Sequence, residues 1–101
     1  MKLRIDPEAE AETREAAVWY ERERAGLGLE LLAAVDSAVQ RIRQTPERFP
    51  RLETLPDEEN VRRLLLQRFP YAIIYETTQD GIRILAVAHT RRSPDYWKDR
   101  R

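Results

Sequence analysis

The spacing of hydrophobic positions changes along the chain, and each spacing predicts one kind of element. Polar and apolar residues alternate over Lys2–Ile5, which predicts a short strand. From Pro7 the apolar residues recur at helical spacing, with Asp6 placed to cap the helix and glutamates in its first turns. Gly26-Leu27-Gly28 ends this pattern. The start of the chain therefore predicts a strand followed by a helix.

A second helix follows the glycines, and its apolar stripe covers about four turns. The stripe consists of Leu27, Leu31, Leu32, Val35, Ala38, Val39 and Ile42. Because few residues join the two helices, we expect an antiparallel helical hairpin over residues 7–45, ended by Pro46. The stripe of the first helix is rich in alanine, and its bulk comes from Trp19 and Tyr20. We expect Trp19 to lie in the core.

Three strands are predicted after an exposed loop at residues 51–60. They run from Val61 to Phe69, from Tyr71 to Thr77 and from Ile82 to His89. The links between them are short, and Asp80-Gly81 is a hairpin turn signal. The order β-α-α-β-β-β predicts an α+β fold over one domain of residues 1–101. Its helical hairpin packs on one face of a small, mainly antiparallel sheet.

Alternation along the last strand assigns its side chains to two faces. The small residues Ala86 and Ala88 suit the face against which helices pack. His89 is then expected on the opposite face, near the strand end. Arg62 and Arg63 point to opposite faces of an earlier strand, and both of those faces carry leucine. The alternation therefore leaves open which of the two arginines shares the face of His89.

Composition narrows the chemistry of the chain. There is no cysteine and one histidine, which excludes disulfides and makes a protein metal site improbable, and no cofactor is expected. No apolar run approaches the roughly 20 residues of a membrane-spanning helix, so we expect a cytoplasmic protein without membrane contact. Residues 1–60 hold nine Lys/Arg and fourteen Asp/Glu, whereas residues 61–101 hold nine and four. A basic C-terminal half favours a nucleic acid or an acidic partner.

The C-terminal end of the last strand gathers the side chains with the most chemistry. His89 follows a buried run and is succeeded by Arg91, Arg92 and the aromatic pair Tyr96-Trp97. Guanidinium groups bind phosphate, aromatic rings stack on bases, and histidine can act as a general acid or base. In the alternative interpretation, His89 ends a strand and the aromatic pair covers the sheet. The residue types and their spacing alone do not decide between these two interpretations.

Several motifs, taken together in this order and at this length, resemble the RelE/ParE superfamily of bacterial toxins, on the ParE-like side. The resemblance covers essentially the whole chain. It rests on Trp19-Tyr20, Gly26-Leu27-Gly28, Pro46 to Pro50, Arg68-Phe69-Pro70-Tyr71, Ile74-Tyr75, and the ending Val87-Ala88-His89-Thr90-Arg91-Arg92-Ser93-Pro94-Asp95-Tyr96-Trp97.

The resemblance implies a toxin of a type II toxin–antitoxin system, neutralised in a complex with a cognate antitoxin. ParE-like members inhibit DNA gyrase and arrest growth, and some stabilise plasmids. RelE-like members are ribosome-dependent endoribonucleases that cut mRNA, which is the alternative function and the one in which the chain is an enzyme. A non-toxic member that only binds its antitoxin is a third interpretation. The ending and the scarcity of lysine favour the ParE-like branch.

The resemblance also implies three sets of site residues. For target binding it implies His89, Arg91, Arg92, Tyr96 and Trp97. For a nuclease it implies His89, Arg91, Tyr96 and one arginine of the first meander strand, Arg62 or Arg63, of which we take Arg63. As a hypothesis for the antitoxin, we expect contacts from Arg62, Arg63, Leu65, Phe69, Leu85 and Val87 on an uncovered sheet face.

Overall fold

The computed structural model of the chain describes residues 2–93 and 95–101. Pro94, part of the C-terminal motif, lies outside the described residues. The elements in chain order are β1 (Lys2–Ile5), α1 (Pro7–Glu23), α2 (Leu27–Gln44), β2 (Val61–Leu65), β3 (Tyr71–Thr78) and β4 (Gly81–His89). Short 3₁₀ turns lie at Asp57–Glu59 and Lys98–Arg100. The predicted order β-α-α-β-β-β and the α+β class are confirmed.

The four strands form one sheet in the order β1-β4-β3-β2. β1 pairs with β4 in parallel, and the other two pairings are antiparallel, as expected for strands joined by short links. β2 ends at Leu65, so the prediction of a strand to Phe69 is wrong. The chain turns there because Leu66 donates its N–H to the carbonyl of Tyr71, and Phe69 packs into the core on the helix side. Beside this short strand, the loop that precedes β2 lies along the outer edge of the sheet.

The helical hairpin forms because α1 presents small residues to its neighbours. Ala9, Ala16 and Ala17 are buried. A Cβ added at Gly28 would lie 2.5 Å from the carbonyl oxygen of Ala17, so the two helices approach too closely for any larger residue. None of the helices in the described ranges is long and apolar enough to cross a membrane.

Trp19 is not a core residue, and this expectation was wrong: 55% of its surface is exposed. Tyr20, one position later and about 100° further around the helix, takes the buried place instead. The ring of Tyr20 lies 5.0 Å from that of Phe69, and Trp19 packs only against the edge of Tyr20 at 4.9 Å. The small residues of α1 therefore leave space for one aromatic ring between this helix and the helix-side core.

The sheet has a core on each face. The helix-side core contains Leu31, Ile42, Ile73, Tyr75 and Ile84 among its members. On the other face, which we call the tail side, the C-terminal segment of residues 95–101 folds back over the strands. The tail-side core consists of Val61, Ala72, Ile74, Leu85, Ala86 and Trp97. The expectation that this face lies open for a partner is wrong at its centre, since the chain covers it with its own tail.

A β-bulge in β4 reverses the direction of its last side chains. Ile74 pairs with Ala86 and Tyr75 with Ile84, so Leu85 is an extra residue. Ile84 packs on the helix side, Leu85 and Ala86 both pack on the tail side, and alternation resumes one residue out of step. The prediction that Ala86 faces the helices is therefore wrong.

The same bulge moves His89 to the helix side, and the prediction that it faces away from the helices is wrong. His89 pairs with Tyr71, whose ring packs against the helix-side core 5.1 Å from the imidazole. Arg62 lies opposite Tyr75, also on the helix side, whereas Arg63 lies opposite Ile74 on the tail side. The arginine that shares the face of His89 is Arg62, although it lies near the other end of the sheet.

Candidate functional site

His89 ends β4 with its side chain half buried. Its Nδ1 accepts a hydrogen bond of 3.0 Å from the backbone N–H of Arg91. A neutral imidazole that accepts at Nδ1 carries its proton on Nε2. In this arrangement His89 can donate a hydrogen bond from Nε2 but offers no free base there.

Tyr96 is held on three sides. Its hydroxyl donates to a carboxylate oxygen of Glu12. The guanidinium of Arg92 stacks on the ring at 3.6 Å, and that of Arg100 lies 5.1 Å from its centroid. Burial raises the pKa of the Tyr96 phenol, and the hydrogen bond to Glu12 raises this pKa further. The phenol is therefore a fixed, neutral group.

Glu12 is the centre of this cluster. Its carboxylate accepts the backbone N–H of Val87 at 2.9 Å, two N–H groups of Arg100 at 3.0 Å and one of Arg92 at 3.4 Å. Arg100 also donates to the carbonyl of Leu85 at 2.9 Å. β1 pairs with β4 only as far as Ile84, so these side chains satisfy backbone groups of β4 beyond the end of β1. We call Glu12, Arg92, Tyr96 and Arg100 the tail clasp.

Sequence reasoning missed Glu12, because its charge at the start of α1 suited the helix dipole. A signal was present: position 12 lies three residues after Ala9 and four before Ala16, on the buried stripe. A carboxylate on a buried stripe predicts a charged partner from elsewhere in the chain. That partner is Arg100.

A second ionic cluster fixes the end of the tail. Arg83 binds Asp6 at 2.9 Å and Glu76 at 3.4 Å, and it also donates to the carbonyl of Arg100. Arg101 binds Glu76 at 3.1 Å. Because the carboxylate of Asp6 is bound to Arg83, it makes no capping hydrogen bond to α1. The prediction that the Asp6 side chain caps this helix is therefore wrong. The hydrogen bonds to Asp6 raise the pKa of Arg83.

Two cavities meet at His89. The first, of about 370 Å³, lies on the helix side between Trp19, Tyr20, Tyr71, His89 and Arg92. The second, of about 290 Å³, lies on the tail side. Its lining includes Arg51, Arg63, Leu65, His89, Arg92 and Tyr96. Both volumes lie near the lower end of the range found for small-molecule sites.

The structure brings together most of the side chains expected at the target-binding edge. His89, Arg92 and Tyr96 line the tail-side cavity, and Arg63 of the nuclease set joins them. Arg91 is exposed and lines neither cavity. Trp97 is 2% exposed and belongs to the tail-side core, so its indole is not available at the surface.

The six residues expected to contact an antitoxin do not share one surface. Phe69, Leu85 and Val87 are buried, at 5%, 0% and 2% exposure. Leu65 is half exposed and lies with Arg63 on the tail side. Among the residues described, no group of three or more His, Asp and Glu side chains could hold a metal ion.

Comparisons with known proteins agree with this geometry. The family profile described as the ParE toxin of a type II toxin–antitoxin system, parDE, matches residues 3–94. The solved structure "Chromosomal ParDE TA system from P. aeruginosa" is similar to this chain with a TM-score of 0.78 and 20% identity. The match covers 90% of this chain and 97% of that chain; at this identity it shows the fold. No curated protein sequence matches significantly.

Proposed function

We propose the function of this chain from one premise: it belongs to the ParE toxin family of type II toxin–antitoxin systems. The proposed activity is inhibition of DNA gyrase by binding, without cleavage of RNA. A cognate antitoxin neutralises the toxin by covering part of its surface. The proposed target-binding residues are His89, Arg91 and Arg92, at the end of β4.

The observation that carries the choice of binding over cleavage is the state of Tyr96. An RNA-cutting relative would need this hydroxyl or a nearby base free to act on the ribose. Here the hydroxyl is bound to Glu12, the ring is packed against Arg92, and the pKa of the phenol is raised. A phenol with a raised pKa is scarcely ionised near neutral pH and so cannot act as a base, and its proton is engaged by the Glu12 carboxylate rather than directed at a substrate.

The hydrogen bond of His89 points the same way. Because Nδ1 accepts the N–H of Arg91 and Nε2 carries the proton, no ring nitrogen is free to remove a proton from a ribose hydroxyl. His89 and Arg92 instead suit recognition, as donors at the rim of a cavity. The exposed Arg91 extends this rim toward solvent.

The proposed antitoxin surface shifts to the helical hairpin. Large apolar side chains exposed there are Val18, Trp19, Leu29 and Leu32, at 52%, 55%, 70% and 39%. Exposed apolar groups are typical of partner-binding surfaces. Trp19 stands beside the 370 Å³ cavity, where an apolar antitoxin side chain would bury it. Arg63 and Leu65 stay in the proposal as a second contact on the tail side.

The decisive experiment for the target is induction of the chain alone in bacterial cells, followed by assays of both DNA and mRNA. Gyrase inhibition predicts DNA breaks and an SOS response with intact mRNA, and purified gyrase should accumulate cleaved DNA in the presence of the toxin. Cleaved mRNA with intact DNA would contradict the proposal. Absence of growth arrest would favour the non-toxic alternative.

The alternative, a ribosome-dependent nuclease, has one observation in its favour: Arg63, His89 and Tyr96 line one cavity. It predicts that purified toxin cuts mRNA on ribosomes and that His89→Ala abolishes the cut. Tyr96→Phe is a matched second variant, because it removes only the hydroxyl. No cleavage by the unmodified chain would exclude this function.

The antitoxin surface can be tested with the protein encoded by the reading frame beside the toxin gene. Trp19→Ala should weaken binding of that protein by about tenfold or more, since exposed tryptophans are common binding hot spots. Arg22→Ala, on the same helix and also exposed, is the control and should change affinity less than about twofold. Equal affinity for both variants would place the antitoxin elsewhere.

A further inference from the structure

Arginines also collect along the sheet edge at β2, where Arg51 and Arg63 share the tail-side cavity with Arg92 and Tyr96 of the tail clasp. Four arginines and one glutamate lie between positions 41 and 51, and Arg62 and Arg63 follow in β2. We call Arg41, Arg48, Arg51, Arg62 and Arg63 the arginine edge.

The fold, and not the sequence order, brings these arginines together around Phe49. The guanidinium of Arg41 lies 5.3 Å from the Phe49 ring, and Arg62 donates to the Phe49 carbonyl at 2.7 Å. Arg51 pairs with Arg62 as an isolated β-bridge, and the N–H of Arg63 donates to the Pro50 carbonyl at 3.0 Å. The loop before β2 is therefore held along this edge by a single β-bridge and its flanking hydrogen bonds.

None of these arginines forms an ion pair with a carboxylate among the described side chains, which are those of residues 2–56, 58–93 and 95–101. Arg41, Arg48, Arg51 and Arg63 are exposed. Arg41 lies in the last turn of α2, where it complements the helix dipole. That explanation does not extend to Arg48, Arg51 and Arg63, which lie beyond the helix.

From this placement we infer that the arginine edge binds the sugar–phosphate backbone of duplex DNA. Guanidinium forks bind phosphate oxygens, and the exposed Arg41, Arg48, Arg51 and Arg63 offer several such forks without a carboxylate partner among the described side chains. The inference needs no contact with gyrase, although the arginine edge adjoins the proposed target-binding residues: Arg51 and Arg63 line the tail-side cavity together with His89 and Arg92.

A DNA partner fits this edge better than an acidic protein. Stable protein interfaces combine arginine with an apolar centre. Of the five large apolar side chains exposed on the molecule as described, four lie on the helical hairpin, and Leu65 is the one near this edge. Without an apolar centre the edge offers charge alone, which is typical of backbone contacts to nucleic acid.

Charge counted along the chain does not locate this surface, because the excess of basic over acidic residues lies in residues 61–101. Three of the five arginines of the edge belong to the acidic half of the chain. Because the inferred contacts are to phosphates, binding should weaken as the salt concentration rises.

The test is a salt titration with a fluorescently labelled random-sequence DNA duplex, followed by anisotropy. The test variant combines Arg48→Gln, Arg51→Gln and Arg63→Gln. Its affinity should fall about tenfold or more, and its slope of log affinity against log salt should become shallower by about 3, since each phosphate contact contributes about 0.9. Circular dichroism checks that the variant is folded.

The control variant removes the same charge elsewhere, with Lys2→Gln, Arg4→Gln and Arg22→Gln, all exposed positions outside the edge. It should keep the affinity of the unmodified chain within about twofold and retain its salt slope. Failure of the unmodified chain to bind the duplex at low salt would overturn the inference. So would an equal loss in both variants, or competition by a polyglutamate peptide as strong as that by unlabelled duplex.

This outcome is separable from the proposed function. The anisotropy assay contains no gyrase, so DNA binding can succeed or fail whether or not the toxin acts on that enzyme. Conversely, a toxin that traps gyrase but does not bind free duplex would retain the proposed function and lose only this inference.

Discussion

Arginines near the C-terminus and arginines near β2 have opposite environments. Arg83, Arg92, Arg100 and Arg101 each lie within 3.4 Å of a carboxylate. Those carboxylates belong to Asp6, Glu12 and Glu76, and through Arg100 and Arg101 the tail is tied to α1 and to β3. The arginine edge has no such partner among the described residues. The same residue type thus fastens the fold in one region and faces solvent in the other.

The difference teaches that charge read along a chain does not locate charge in space. Several arginines of the basic C-terminal half form ion pairs with acidic residues of the first half, Asp6 and Glu12 among them. The arginines of the arginine edge have no ion pair among the described side chains, and three of these five come from the acidic half. Removing a tail contact should therefore cost folding energy, and removing an edge arginine should cost binding but little stability.

The largest expected effect is on the tail itself. Trp97→Ala should lower the free energy of unfolding by about 3–5 kcal/mol, because it removes a buried indole from the tail-side core. Urea denaturation followed by circular dichroism measures this. The matched control is Trp19→Ala, which should cost about 1 kcal/mol or less, since Trp19 is 55% exposed. Equal losses would mean that the tail does not stabilise the sheet.

The second effect tests the centre of the tail clasp. Glu12→Gln should cost about 3 kcal/mol, because it leaves the half-buried guanidinium of Arg100 without its counter-charge. Glu10→Gln removes the exposed pair with Arg14 and should cost less than about 0.5 kcal/mol. If both variants unfold at the same urea concentration, the clasp contributes no more than an ordinary surface pair.

The third effect is a loss of stability at alkaline pH. Both regions contribute to it, because each contains one tyrosine whose hydroxyl is held by a hydrogen bond. Burial raises the pKa of Tyr75, which donates to the carbonyl of Pro46 beside the arginine edge, to about 12. The pKa of Tyr96 in the clasp is raised as well. The unfolded phenol ionises near pH 10 while the folded one does not, so this stability is present below pH 10 and is lost as pH rises above it.

Between pH 10 and pH 11 we expect the free energy of unfolding to fall by roughly 1 kcal/mol from Tyr75 alone. Urea titrations at several pH values measure the slope, and Tyr75→Phe is the variant that should flatten it. A slope unchanged in both Tyr75→Phe and Tyr96→Phe would show that neither phenol is held as described.

The smallest expected effect on stability belongs to the arginine edge. The triple variant with glutamine at positions 48, 51 and 63 should keep its free energy of unfolding within about 0.5 kcal/mol, because exposed charges without partners contribute little. Arg100→Gln is the comparison variant and should lose several times more. A large loss in the triple variant would mean that these arginines serve the fold.

Much of the fold could be predicted because local patterns determine elements. The Lys2–Ile5 alternation, the four-turn stripe of α2 and the Asp80-Gly81 turn each predicted an element that the structure contains. Short links then predicted the antiparallel strands. Two misses concern where a local pattern ends or points: β2 stops at Leu65, four residues before Phe69, and Trp19 lies one residue from the buried aromatic position.

The site was predicted less well, because it depends on contacts between distant residues. His89, Arg92 and Tyr96, which the ending predicted as site residues, lie together around one cavity. Glu12, which binds two of the three groups from 75 or more positions away, cannot be paired with them by any local pattern. The same holds for Asp6, whose partner Arg83 lies on another element.

The sequence by itself determined the order of elements, the family, and the residues from which a binding edge could be built. Only the tertiary structure decided on which face and with which partners those residues stand. One extra residue in β4 turned His89 toward the helices, since the side-chain period of a strand is two. Folding of the tail over the sheet then decided which arginines are neutralised, because ion pairs form only where distant carboxylates come within a few ångströms.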